Sequence, residues 1–255
     1  MHTVQIMQLD RLSPSDTVGN ASAVPIFSKT LGSWHFAIGR TVYDDATLTA
    51  HYDKQSGSWD TTIERHGFTE AYTTLISQIW RQPRYRQNID SLNVLDAGIG
   101  TGAMSVAFAR VLRQRFQLTG IDLSPAMLRQ AAARLRPLDI SAQLRCASLS
   151  DLPYADHSFD VVLVAHVLEH AADPQLGLAE AYRVLKPGGV LISAITRNST
   201  VGAYIQLKWR THRVRPSQAR RWMREVGFRS VRSLPFGKGT PARQFSVGHV
   251  GRKPL

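Results

Sequence analysis

The residues whose types and spacing could do chemistry fall in four short stretches. Asp96 sits near the end of an apolar run, Asn93-Val94-Leu95-Asp96-Ala97, and Gly98, Gly100 and Gly102 follow at alternate positions. Asp122, 24 residues after Gly98, closes a second apolar run that begins at Phe116. Ser148 and Leu149 follow a third run, Ala142 to Cys146, and His166-Val167-Leu168-Glu169-His170 follows a fourth, Phe159 to Ala165. Glycines between a strand and a helix let the backbone turn sharply and let a ligand lie against the main chain with no Cβ in the way. The helix N-terminus beyond them presents unpaired N–H groups. An acid at the end of the next strand can accept hydrogen bonds from both hydroxyls of a ribose. Histidines beside such a site offer a proton acceptor that works near neutral pH.

The glycine turn has two ligand readings. Gly98-x-Gly100-x-x-Ala103 fits the dinucleotide fingerprint in its G/A form. Gly98-x-Gly100-x-Gly102 behind Asp96 fits the nucleoside loop of S-adenosylmethionine enzymes better. A tight strand–helix turn with no ligand is the bland alternative. For Asp122 the bland role is a cap or surface acid, and for His170 a brace for the following helix.

The elements that must position these residues alternate. Helical patterns follow the glycine turn (Met104, Val106, Phe108, Val111) and Ser124-Pro125 (Met127, Leu128, Ala131, Leu135), the latter with Ser as N-cap and Pro at the first position. A helix is expected to open at His166–His170, another to run from Pro174 to Leu185, and a strand to cover Val190–Ile195. Helices between apolar strands imply a parallel sheet covered on both faces, with ligands beyond the carboxyl ends of its strands. All four stretches fall at that edge. Pro216 to Val226 reads as a helix ended by Gly227, and Phe228–Leu234 with Arg243–Val250 as an antiparallel hairpin.

Ahead of the glycine turn, residues 1–40 show no sustained period and read as a loose arm. Residues 41–90 read as a helical cap. Tyr43, Ala46, Ala50, Tyr52 and Trp59 share one face of a first helix. Phe68, Tyr72, Leu75, Ile76, Ile79 and Trp80 share one face of a second, over 64–81, closed by Pro83. Tyr43, Tyr52 and Trp59 are candidates for the substrate side, although an aromatic on an amphipathic helix is more often core.

At 255 residues and 43% hydrophobic, the chain suffices for one α/β domain with a full core and a small appendage. Its longest apolar run is too short to span a bilayer. No secretory signal pattern is seen, and the single cysteine, Cys146, has no internal disulfide partner. No Cys/His spacing suits a metal. These features predict a cytoplasmic protein. The net charge of +12 is uneven, since Arg197 to the C-terminus holds 14 Lys/Arg and one acid, Glu225. Such a block suits an anionic substrate, a membrane surface or nucleic acid, or serves as a solvated face.

In this order and spacing the chain resembles the class I S-adenosylmethionine-dependent methyltransferases, in the branch of the ubiquinone and menaquinone biosynthesis methyltransferases. The matching pieces are Val94–Gly102, Gly120-Ile121-Asp122-Leu123-Ser124-Pro125 with Met127-Leu128, Asp151-Leu152-Pro153-Tyr154 with Ser158–Val162, His166–His170, and Arg183-Val184-Leu185-Lys186-Pro187-Gly188-Gly189. They cover about residues 93–196. The resemblance implies a Rossmann-like, doubly wound, mostly parallel seven-stranded sheet with an antiparallel C-terminal hairpin. It implies S-adenosyl-L-methionine as cofactor within a domain over 91–255. Gly98, Gly100 and their neighbours Ala97 and Gly102 would contact its methionine part, with Asp96 near the amino group. Asp122 would take the ribose hydroxyls, Leu123 and Met127 would flank the adenine, and Leu149 would bond its ring. Ser148 stands where the family often has an acid for the adenine amino group, a weaker acceptor. Ala165 and His166 would border the sulfonium. The insertion 196–215, with Arg197 and Tyr204, would shape the acceptor pocket.

The expected activity is transfer of a methyl group to carbon or oxygen of a small acceptor, quinone-like or anionic, with His170 or His166 as base. Two alternatives stay open. One is an RNA methyltransferase using the basic tail, although Ala165-His166-Val167 replaces the Asn/Asp-Pro-Pro-aromatic signature of exocyclic amine methylation. The other is a non-catalytic binding protein. The tail equally suits a peripheral membrane contact, which is favoured over nucleic acid.

Overall fold

A computed structural model describes residues 5–6, 22–31, 34–42, 49, 66–86, 90–112, 114–171, 173–196, 214–244 and 246–255. In chain order the strands are β1 (Gln5–Ile6), β2 (Ser22–Leu31), β3 (Trp34–Val42), β4 (Ser91–Ala97), β5 (Arg115–Asp122), β6 (Ala142–Cys146), β7 (Phe159–Ala165), β8 (Leu185–Thr196), β9 (Arg229–Pro235) and β10 (Ser246–Arg252). The helices are α1 (Phe68–Trp80), α2 (Ala103–Val111), α3 (Pro125–Leu135), α4 (Pro174–Val184) and α5 (Pro216–Val226). One sheet runs in the order β1-β6-β5-β4-β7-β8-β10-β9, parallel from β1 to β8, with β10 and β9 antiparallel. This is the expected seven-stranded sheet with its antiparallel C-terminal pair, lengthened at one edge by the two residues of β1.

The chain winds outward from β4 through β5 to β6, then returns to the other side of β4 for β7 and β8. That reversal leaves a crevice beyond the carboxyl ends of the central strands. β7 is buried on both faces apart from its last residue, which is why Phe159–Ala165 reads as an unbroken apolar run. Helix starts carry their expected signals. Ser124 Oγ accepts from Met127 N at 3.1 Å, and Asp173 accepts from Gln175 N at 2.9 Å, each just ahead of a proline. At the opposite end of the sheet, Lys186 Nζ lies 3.0 Å from both oxygens of Asp160, and Asp160 also accepts from Asn93 N at 2.8 Å, tying β4, β7 and β8 together.

Two apolar layers flank the sheet. Side chains of α1, α2 and α3 fill one, and those of α4 and α5 fill the other. The helix expected over 64–81 is α1, and it is a full member of its layer. Ala71, Leu75, Ile76 and Ile79 are completely buried. Two expectations need correction. The stretch read as a loose arm carries the two-residue strand β1 and the antiparallel pair β2–β3, joined across Leu31 and Trp34. Its hairpin signal is Val24, Ile26, Trp34, Phe36 and Ile38 spaced by two around Gly32-Ser33. No helix opens at His166. Residues 166–171 form turns, with His170 N and Ala171 N both donating to the Val167 carbonyl. His166 itself has φ 58, outside the right-handed helical region. Strand β8 also begins earlier than expected, at Leu185, with a register shift against β7 between Phe159 and Val161. Tyr43, Tyr52, Trp59, Arg197 and Tyr204 lie outside the described residues, as does most of 196–215.

Helix α1 meets β10 at a point with no room to spare. A Cβ built on Gly248 would run into the side chain of Leu75, itself fully buried. Gly248→Ala is expected to cost roughly 1–3 kcal/mol by overpacking. Leu75→Ala alone should cost roughly 2–5 kcal/mol through the cavity it leaves. In the double variant the added methyl fills part of that cavity, so denaturant titration should give a loss smaller than the sum. Strict additivity would show that the two residues do not share this space.

Candidate active site

Strand β4 delivers Asp96 and then breaks into the glycine turn. Gly98, Gly100 and Gly102 all have left-handed backbones, with φ 79, 54 and 83. Residues with side chains adopt such angles only at a cost, which explains the glycines. The Ile121 carbonyl at the end of β5 accepts from both Gly98 N and Ile99 N, each at 2.8 Å. Asp122 completes the clamp. Its Oδ2 accepts from Gly100 N and its Oδ1 from Ser124 N, each at 2.9 Å. Any Cβ on Gly98 would collide with Val167, so the turn after β7 lies directly against the glycine turn.

Asp96 is 1% exposed. Its Oδ2 accepts from Ser105 Oγ at 2.6 Å, while its Oδ1 is buried with no partner among the described residues. Burial raises its carboxyl to about 7. The Ser105 hydrogen bond acts against that shift, and the charge of Asp122 adds to it. A buried oxygen without a donor is costly, so this one is suited to a cationic or hydrogen-bonding ligand group.

Across the cavity, His166 Nδ1 lies 2.9 Å from Oε1 of buried Glu169. Phe68 packs edge-on against the His166 ring at 5.3 Å between centroids, and Tyr72 lies 6.4 Å away. Burial raises the Tyr72 hydroxyl well above its ordinary range, helped by the charges of Glu169 and Asp96, so it stays protonated.

These parts share one cavity of about 1030 Å³, counting its open mouth. Asp96, Gly98, Gly100 and Asp122 line it, as do Leu123, Met127, Ser148, Leu149 and Ala165. His166 and His170 line it as well. Two of the residues expected at the cofactor do not. Ala97 points into the core between the sheet and α4. Gly102 serves helix packing, since a Cβ there would touch Ala131 and Leu135 of α3 at 3.7–3.8 Å. Tyr72, Thr101, Met104 and Val167 line the cavity without having been singled out. Tyr72 lies on the buried face of α1, and nothing in that spacing separates a wall residue from a core one. Val167 sits inside a stretch that drew attention only to its histidines.

Residues 95–193 match the family described as the methyltransferase domain. The chain is 37% identical over 149 residues to the demethylmenaquinone methyltransferase of Porphyromonas gingivalis, covering 57% of this chain and 56% of that one. It is 38% identical over 101 residues to the ubiquinone/menaquinone biosynthesis C-methyltransferase UbiE of Psychromonas ingrahamii, covering 39% and 40%. The chain thus spans about half the length of these curated relatives. The structure resembles magnesium protoporphyrin IX methyltransferase of Synechocystis PCC 6803, solved with bound S-adenosylhomocysteine. The TM-score is 0.65 and the identity 16%, over 82% of this chain and all of that one. Over residues 95–193 the chain thus matches a methyltransferase domain, whose cofactor is S-adenosyl-L-methionine.

Proposed function

We propose that this protein methylates a ring carbon of a small, quinone-like acceptor. The observation that carries the reading is a single cavity that joins the glycine turn, with Asp96 and Asp122, to the aromatic wall of Tyr72 and His166. The carbon acceptor is supported by the likeness to a demethylmenaquinone methyltransferase and a C-methyltransferase of ubiquinone/menaquinone biosynthesis. When bound, S-adenosylmethionine supplies a methyl group already activated on a sulfonium.

The residues present fit that group. Asp96 Oδ1 is the one atom of the pair left to accept from the amino group. Asp122 has both oxygens engaged by backbone N–H, and each oxygen keeps a lone pair for a ribose hydroxyl. Gly98 and Gly100 give main-chain access to the methionine part, Leu123 and Met127 supply apolar surface for the adenine, and Ser148 and Leu149 border its edge. Ala165 and His166 stand at the sulfonium side. The rest of the work is positioning. Tyr72 and His166 line the cavity with rings tilted 44° to each other, an aromatic wall against which an acceptor ring can be positioned for methyl transfer. We assign the base to His166, because its ring is held by a carboxylate at 2.9 Å. His170 remains a neighbour on the same turn.

The exposed Arg215, Arg221, Arg224 and Arg229 on and beside α5 supply a basic surface. No helix among the described residues is long and apolar enough to cross a membrane. We assign this surface to peripheral contact with an anionic bilayer, where a lipophilic quinol resides. Vesicles containing phosphatidylserine should then sediment the protein, with release at high salt, while neutral vesicles should not. Equal recovery with both would remove the membrane contact from the proposal.

Calorimetric titration with S-adenosylhomocysteine tests the cofactor end. Asp122→Ala is expected to weaken binding at least tenfold. The ammonium of the ligand favours ionised Asp96, and the ionised fraction rises as pH passes about 7. Affinity should therefore increase about tenfold from pH 6 to pH 8, with proton release visible as a dependence on buffer ionisation heat. A flat pH response would place the amino group elsewhere. At the acceptor end, demethylated menaquinol and ubiquinol analogues should gain one methyl group by mass spectrometry in the presence of cofactor. If soluble phenols or carboxylates are methylated and quinols are not, the acceptor class is wrong.

A further inference from the structure

Glu169 has no assigned task, yet it is among the most tightly held side chains at the sheet edge. It is 1% exposed. Its Oε1 accepts from the Thr196 backbone N–H at 2.9 Å and from Thr196 Oγ1 at 3.0 Å, besides facing His166 Nδ1 at 2.9 Å. Its Oε2 has no partner among the described residues. Burial acts to raise its carboxyl, but the hydrogen bond and charge of His166, the charge of His170 and the Thr196 amide outweigh it and hold the group down at about 2. The Thr196 backbone N–H can only donate, so the Oε1 it meets is an acceptor toward its other partners as well. His166 must be the donor through Nδ1, which leaves the lone pair of the neutral ring on Nε2.

The ring is constrained on its other sides as well. Phe68 and Tyr72 pack against it, and Ser246 Oγ on β10 lies 3.4 Å from Nε2. The His166 backbone sits at φ 58, and its N–H donates to the Ala194 carbonyl at 2.8 Å. A non-glycine residue keeps such a conformation only where its surroundings over-determine it, a situation that clusters at functional sites. Other titratable groups surround the pair. Tyr72 on α1 stays protonated. His249 on β10, held down at about 4 by burial and the Arg220 charge, stays neutral. His170 shares the turn, and the charge of Asp96 acts on Tyr72.

We propose that Glu169 is a positioning residue for methyl transfer, locking His166 with Nδ1 protonated and Nε2, the nitrogen beside the Ser246 hydroxyl, unprotonated to take the acceptor's proton. The proposal rests on the reading of His166 as base. As the acceptor's ring carbon bonds to the methyl group, the S–CH3 bond would break with its pair left on sulfur, giving the neutral thioether; the acceptor's proton passes to Nε2 and the pair that bound it stays on the acceptor. The Glu169–His166 pair goes from a net charge of −1 to 0, and the carboxylate offsets the imidazolium until solvent removes the proton.

Nitrogen-15 spectra of histidine-labelled protein read this directly, with His166 assigned by the signal lost in His166→Gln. Neutral His166 is expected in the Nδ1-protonated form. An Nε2-protonated wild type overturns the proposal whatever the variants do. Kinetics give an independent readout. Glu169→Gln keeps an oxygen for the Thr196 amide and removes the charge. It should lower kcat at least tenfold and leave cofactor affinity within twofold. In a His166→Gln background the same change should alter kcat less than twofold. Equal losses in both backgrounds would mean that Glu169 serves the fold alone. Absence of cofactor binding by wild type breaks the methyltransferase reading with the tautomer unchanged. A wrong tautomer breaks this proposal with cofactor binding intact.

Discussion

The carboxyl edge of the sheet depends on the two hydrogen bonds that the Ile121 carbonyl accepts from Gly98 and Ile99. A carbonyl has two lone pairs, and here both are spent on one turn. The bonds fix β4's exit against β5, beside the point between β4 and β7 where the strand order reverses. Asp122, one residue on, then reaches back to Gly100. The glycine turn, the ribose-side acid and the crevice are thus one constraint expressed three times. The left-handed angles of Gly98 and Gly100 are what that constraint demands of the backbone.

Within this frame, two buried carboxylates, Asp96 lining the cavity and Glu169 behind its His166 wall, have opposite protonation behaviour. Asp96 has one hydroxyl donor and one bare oxygen, so burial prevails and its carboxyl rises to about 7. Glu169 has an imidazole and a backbone amide on a single oxygen, so the donors prevail and it falls to about 2. Groups of the same kind whose environments push them apart are how acid and base roles are divided in an active site. Tyr72 is kept neutral chiefly by burial, with the charges of both carboxylates adding to the effect.

Much of this was legible in the sequence because it is local. Strand β7 declares itself as a continuous apolar run, and Ser124-Pro125 and Asp173-Pro174 mark helix starts by side chains that bond within three residues. The glycine turn and Asp122 could be paired because the first two strands of such a unit are neighbours. What escaped is set by register between distant strands. Glu169 meets the Thr196 amide across 27 residues of chain, a contact that exists only because β7 and β8 align Ala165 with Ala194. Ala97 and Gly102 adjoin the glycine turn in sequence but do not line the cavity, because strand alternation turns the first into the core and helix packing employs the second. The pair β2–β3 was passed over because glycines and prolines between 14 and 39 masked its period of two.

The sheet also has an order of assembly written into it. Strand β10 follows β9 in the chain but lies inside it, between β9 and β8. During synthesis β9 leaves the ribosome with no neighbour to join, and β8 keeps a bare row of N–H and C=O groups until β10 arrives. Nascent chains paused in that interval present an open β edge, the kind of surface that invites pairing between molecules. The glycines of β10, Gly248 and Gly251, are where helix side chains from each layer close down on it. The strand that seals the edge is also the one on which both layers come to rest.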